Sequence, residues 1–177
     1  MMESAELVVP VSEQDHSMGS EDAPVTLVQY GDFECPYCGA AYPVIKDIQQ
    51  RMGDRLRFVF RNFPISTSHP HALRAAEAAE AAGAQGKFWE MHDMLYDHQD
   101  TLDLAHLRRF AEDIGLDMER FEQDMSESRY ENRVREDFMS GVRSGVGGTP
   151  TFYINGVRFD GNWTGDHLLR ALEHAAH

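Results

Sequence analysis

Cys35 and Cys38 are the only cysteines in the chain, and only Pro36 and Tyr37 separate them. Two thiols at this spacing, where a helix begins, can close a small disulfide ring with little backbone movement, so the bond between them is easily cycled. Unpaired N–H groups and the helix dipole at a helix N-terminus favour negative charge. Cysteines held there can drop from a pKa of about 8.5 into a range of about 3.5 to 7.5. Cys35 is therefore the expected nucleophile, and a stabilised thiolate also leaves faster and makes the disulfide form the stronger oxidant. Cys38, one turn further in and more buried, is expected to keep a higher pKa and to act as the resolving thiol. Pro36 suits the first helical turn, where its missing N–H costs nothing, and Tyr37 is the position expected to touch a partner. The competing reading of the pair is half of a zinc site completed by His69 and His71. Tetrahedral zinc needs four converging ligands, and His69-Pro70-His71 lies where a loop enters a helix with no second cysteine pair nearby. No metal and no cofactor is expected.

The surrounding pattern supplies a frame for the thiols. Val25 to Tyr30 is β-branched and apolar between Asp22-Ala23-Pro24 and Gly31-Asp32, as a buried strand should be. Beyond Cys35, Tyr42, Ile45, Ile48 and Met52 follow helical spacing up to Gly53. Leu56 to Phe63 forms a second strand that stops at Pro64. Strand, helix and strand make a βαβ unit, whose crossover is right-handed in nearly all cases and leaves the strands parallel.

From Ser66 to Gly145 the signal is helical, beginning with an alanine-rich run from Ala72 to Ala82 in which Leu73 is the one large apolar side chain. Apolar stripes then recur at Phe88, Met91 and Leu95, at Leu104, Leu107, Ala111 and Ile114, at Met118, Phe121 and Met125, and at Tyr130, Val134, Phe138 and Val142. Thr151 to Ile154 and Val157 to Asp160 flank Asn155-Gly156, the signature of a type I′ hairpin. A last helix from about Asp166 turns Leu168, Leu169 and Leu172 inward, and Leu7-Val8-Val9 is a candidate short strand.

A chain of 177 residues can bury a sizeable core as one domain without structural disulfides. Sixteen basic against thirty acidic residues give a net charge of -14, which repels phosphate and argues against a nucleic-acid or anionic-membrane partner. Glu119, Glu122, Asp124, Glu127 and Glu131 are expected on exposed helix faces. No apolar run approaches the roughly 20 residues of a membrane span. No Lys or Arg precedes Lys46 and no export signal is visible, so a cytoplasmic address is expected, the alternative being an exported form with its leader removed.

From about Asp22 onward the chain resembles the DsbA-like branch of the thioredoxin superfamily. The resemblance rests on Phe33-Glu34-Cys35-Pro36-Tyr37-Cys38 directly after a strand, on Pro43 five residues beyond Cys38, and on Gly148-Thr149-Pro150-Thr151 before the later strand. It implies an α/β, thioredoxin-like fold with a central four-stranded mixed sheet, one domain over 1–177, and an inserted helical subdomain over 66–146. It further implies a cis Pro150 beside the disulfide, with the Thr149 backbone pairing to a bound substrate strand, so that Pro36, Tyr37, Thr149 and Pro150 form the substrate-binding surface. The expected activity is protein thiol-disulfide exchange, with protein or peptide thiols and disulfides as partners and a further redox protein supplying or removing electrons. Alternatives are a glutathione-linked disulfide reductase or peroxidase, and a non-catalytic zinc-binding or adaptor module. The chain departs from the family at Gln29, where members often carry a buried acid that relays a proton to the resolving thiol. Asp32 or Glu34 could replace it, although each is equally expected as an exposed loop carboxylate.

Overall fold

The computed structural model describes residues 5–177. Its described residues form a five-stranded mixed sheet in the order β1-β3-β2-β4-β5, with β1 His16–Met18, β2 Val25–Gly31, β3 Leu56–Asn62, β4 Thr151–Ile154 and β5 Val157–Phe159. β2 and β3 are parallel, with Val25 opposite Leu56 and Gly31 opposite Asn62. The pairs β1·β3, β2·β4 and β4·β5 are antiparallel. Helix α1 (Pro36–Met52) makes the crossover from β2 to β3 and runs through Pro43. Helices α2 (Ala72–Gly83), α3 (Phe88–Asp97), α4 (Leu104–Asp113), α5 (Met118–Ser126) and α6 (Glu131–Arg143) lie between β3 and β4, and α7 (His167–Ala175) follows β5.

The sheet is covered on both faces, which is why β2 and β3 are apolar nearly throughout and not alternating. Leu27, Phe58, Phe60 and Phe152 join one core with Cys38, Ile45 and Ile48 of α1, Met91 and Leu95 of α3, and Leu168, Leu169 and Leu172 of α7. Val28, Tyr30, Val59 and Tyr153 belong to a second cluster, with Phe63 and Val146, against which Phe138 of α6 packs. Polar bonds pin the elements together: Arg61 Nε and Nη2 reach the Asp15 carboxylate at 2.8 and 3.0 Å, and its Nη1 reaches the Tyr30 hydroxyl at 2.9 Å.

Three expectations need correction. The sheet has a fifth strand, β1, which its three residues His-Ser-Met could not announce because so short a segment carries no alternation. Leu7-Val8-Val9 is not a strand; Leu7 N–H donates to the Gly156 carbonyl at 2.8 Å and the only bridge nearby is Glu6 with Val157. Asp124 is 3 % exposed and not on an open face, because Arg129 covers it at 2.9 Å. The hairpin turn does take positive φ at Asn155 (49°) and Gly156 (84°). In the alanine-rich α2 nearly every side chain is buried, since small residues let neighbouring helices approach on all sides.

Candidate active site

β2 ends by delivering the chain to the start of α1. Cys35 is the residue before that helix, with extended backbone (φ -71°, ψ 123°), and Pro36 takes the opening helical position. Cys35 N–H donates to the Asp32 carbonyl at 3.2 Å, and Gly39 N–H donates to the Cys35 carbonyl at 3.0 Å. Both cysteines are free thiols, Cys35 4 % exposed and Cys38 fully buried. Tyr37 between them stands out at 69 % exposed. From the other side of the sheet, the loop before β4 brings in Thr149 and Pro150, joined by a cis peptide bond. The Cys35 thiol donates to the Thr149 carbonyl at 3.6 Å. Cys35, Cys38, Thr149 and Pro150 therefore meet in one place.

The two thiols ionise very differently. Cys35 is drawn down to about 5, first by the hydrogen bond from the Cys38 thiol; burial opposes this, and the Thr149 side chain and the N–H groups of Cys38 and Tyr37 add to it. Cys38 is pushed well above the ordinary thiol range by burial, then by its bond to Cys35 and the charge there. The helix-start amides invoked from sequence do contribute, but the bond between the two sulfurs comes first.

Asp32 is not an exposed loop carboxylate: it is 1 % exposed, because the chain after β2 turns beneath the loop after β3. Its Oδ1 accepts from Glu34 N–H at 2.8 Å, its Oδ2 accepts from Ile65 N–H at 2.9 Å, and the same Oδ2 meets His69 Nδ1 at 2.7 Å. Burial works against the His69 charge, yet Asp32, then the Cys35 and Glu34 charges, hold His69 above its ordinary range. His69 is thus held by a buried carboxylate and lies within the field of Cys35. Glu34, partly exposed, accepts from His71 N–H at 2.8 Å. Among the described residues no group of three or more His, Cys, Asp or Glu side chains converges to hold a metal ion.

Gln99, just beyond α3, had no sequence signal at all. Its Nε2 donates to the Phe33 and Cys35 carbonyls, both at 2.9 Å. Gly39 makes room for it, since a Cβ there would stand 2.0 Å from Gln99 Oε1. Gln99→Ala removes the side-chain donor to the Phe33 carbonyl and leaves the Cys35 carbonyl with the Gly39 N–H alone, and is expected to lower the stability of the reduced protein by about 1–2 kcal/mol, measured by urea unfolding. His92 was also passed over, although a histidine beside Met91 on the buried stripe of α3 was the available clue. It lies among the rings of Phe33, Phe60, Trp89 and Tyr96.

A βαβ-centred mixed sheet with a Cys-x-x-Cys pair at the start of its crossover helix and a Thr-Pro loop against the sulfurs defines a protein of thioredoxin fold. A family model described as Thioredoxin matches residues 11–174. The chain belongs to this family. Among solved structures it is similar to oxidised BdbD from Bacillus subtilis, with TM-score 0.84, 24 % identity, and 98 % of this chain and 97 % of that one covered. It is also similar to a thioredoxin-like oxidoreductase from Silicibacter pomeroyi DSS-3, with TM-score 0.80, 25 % identity and 93 % of each chain covered. Among curated proteins it is 46 % identical over 170 residues to the Na(+)/H(+) antiporter NhaA 1 of Mycobacterium sp. (strain KMS), covering 94 % of this chain but 28 % of that protein. The NhaA of Herminiimonas arsenicoxydans is 42 % identical over 161 residues, covering 91 % of this chain and 25 % of that protein. The chain thus spans about a quarter of the length of these relatives, and none of its described helices is long and apolar enough to cross a membrane.

Proposed function

We propose that the chain is a protein thiol-disulfide oxidoreductase that cycles a Cys35–Cys38 disulfide, with Cys35 as the nucleophilic thiolate and Cys38 as the resolving thiol. The observation that carries this reading is the meeting of Cys35 and Cys38 at the start of α1 with the cis Thr149-Pro150 bond, the Cys35 sulfur lying 3.6 Å from the Thr149 carbonyl; there Cys35 is drawn down to about 5 and Cys38 pushed well above the ordinary range. Thiolate at one sulfur and thiol at the other is the arrangement disulfide exchange needs, since the thiolate attacks and the lower-pKa sulfur leaves. Stabilising the reduced form in this way leans the couple toward oxidising its substrates. An extended protein segment fits the site: beside Pro150 a shallow groove of about 360 Å³ runs past Gly147, Thr151, Phe159 and Trp163, and Tyr37 of the motif is exposed. Sodium–proton exchange is named for relatives about four times longer.

Mass measurement after alkylation tests the reading. The protein treated with reductant should accept two alkyl groups, and the same folded protein treated with a mild oxidant should accept none. Two groups in both states would remove the proposal. Turnover with glutathione alone, without a protein or dithiol partner, would favour the glutathione-linked reading. Stoichiometric zinc in the purified protein would favour the non-catalytic one.

A further inference from the structure

Cys38 borders a narrow cavity of about 10 Å³ whose wall is largely apolar (Ile45, Phe58 and Trp89 among others), with Gln29, His92 and Tyr96 supplying polar groups. That is the size of one water molecule, and a buried water needs two to four polar partners of the kind these side chains supply. His92, 4 % exposed, has one ring edge engaged, with Nδ1 2.9 Å from Asp93 Oδ1. The opposite edge carries Nε2, which is fully buried and without a hydrogen-bond partner among the described residues. Asp93 is held in turn by Lys46 Nζ at 3.0 Å, and both groups are about one-third exposed. A polar chain therefore runs from solvent through Lys46 and Asp93 to the His92 ring and ends at the cavity that Cys38 borders.

The tautomer follows from the partners. The Asp93 carboxylate, whose pKa is lowered by His92 and Lys46 against the cost of burial, accepts a hydrogen bond, so Nδ1 carries the proton and Nε2 presents its lone pair. Burial also drives the His92 pKa below its ordinary value, which keeps the ring a neutral base. Other titratable groups around it are Tyr96 on its own helix, Cys38, Tyr42 and Lys46 on α1, and His16 on β1. His16 is itself paired with Glu80 of α2 at 2.8 Å.

The geometry points to His92, oriented by Asp93, as the residue that takes the Cys38 proton through one water when Cys38 attacks the Cys35 mixed disulfide. This inference rests on the exchange reading above. In the balanced step, Cys38 sulfur bonds to Cys35 sulfur, the bond from Cys35 to the substrate sulfur breaks, and the substrate leaves as thiolate with the electron pair. The proton passes from Cys38 through the water to His92 Nε2, while the Nδ1 proton leaves to the Asp93 carboxylate, which Lys46 holds, and from the part-exposed Asp93 to solvent. The two protein thiols are oxidised and the substrate disulfide is reduced; in the reverse direction His92 returns the proton to Cys38. The arrangement supplies what Gln29, which cannot titrate, does not. Asp32 is committed to His69, Glu34 and Ile65 and does not border the cavity.

Stopped-flow reaction of the reduced protein with one equivalent of 5,5′-dithiobis(2-nitrobenzoate) separates the two steps. Cys35 releases the first thionitrobenzoate, and attack by Cys38 on the resulting mixed disulfide releases the second. In His92→Gln the first release should persist, while the second slows about 100-fold at pH 7, the lower end of what a positioned base contributes. The second phase of the unsubstituted protein should be nearly flat from pH 7 to 8, whereas that of His92→Gln should climb about tenfold per pH unit as hydroxide takes over the proton. Asp93→Asn, at a part-exposed surface position, carries the test if His92→Gln fails to fold, and should also slow only the second phase. A second phase unchanged in rate and pH slope in these variants overturns the relay. Absence of any first release overturns the exchange reading instead.

Discussion

Cys35→Ser is expected to reduce disulfide exchange to the uncatalysed level, a loss on the order of 10³-fold or more, the scale on which removal of a covalent nucleophile is felt. Serine fills nearly the same volume but stays a protonated hydroxyl at neutral pH, so neither attack on a disulfide nor departure from one is open to it. Cys38→Ser is expected to fail differently. Its Cys35 still attacks, but no neighbouring thiol displaces the product, and mixed disulfides with partner proteins should accumulate. They should appear as reductant-sensitive bands on a non-reducing gel and be missing from Cys35→Ser. Equal activity in the Cys35→Ser variant and the unsubstituted protein would end the assignment of roles.

Alkylation of the reduced protein with iodoacetamide is expected to titrate with a midpoint near 5, where Cys35 is placed by the Cys38 hydrogen bond, Thr149 and the first helical amides. An ordinary thiol has a model value of 9.0. At pH 5 a group of pKa 5 is half thiolate, and one of pKa 9 about 0.01 % thiolate. The lower basicity of Cys35 takes back about 40- to 100-fold in nucleophilicity, leaving an advantage of about 50- to 100-fold at that pH and almost none at pH 7. The midpoint, and not the neutral rate, is therefore diagnostic. Cys38→Ala removes the leading donor and should raise the midpoint more than Cys38→Ser, whose hydroxyl can still donate. Equal midpoints in the two variants would return the explanation to the helix terminus alone.

The same shift links redox state to stability. Cys35 has a folded pKa below its unfolded value, so its contribution is complete above about pH 9, shrinks on acidification and is gone once the pH falls through about 5. Cys38 is raised and changes the balance only above about 9. The oxidised protein has neither thiol. Urea unfolding of both forms should show the reduced form gaining on the oxidised one between pH 5 and pH 8. A difference that does not move with pH would contradict the Cys35 shift.

Much of this was legible because it was local. The Cys-Pro-Tyr-Cys spacing, the apolar strands β2 and β3, the Asn155-Gly156 turn and the stripes of the later helices each lie within a few residues of one another. What escaped depends on long closures. Asp32 meets His69 across 37 positions, and Gln99 reaches the Cys35 carbonyl across 64, with no periodicity to mark either. β1 escaped because it is held by pairing to β3 and not by its own composition. Asp32 and Asp124 looked like surface acids because charge is usually solvated, and only their partners explain their burial.

His92, Tyr96 and Gln99 all come from α3 or the residues just after it, so the segment between β3 and β4 walls the thiols instead of decorating the sheet. Pruning α2–α6 to reach a minimal scaffold would expose Cys38 to bulk water and strip the Gln99 donor from the Phe33 and Cys35 carbonyls. An engineer shortening this protein should keep α3 through Gln99 and look for savings elsewhere.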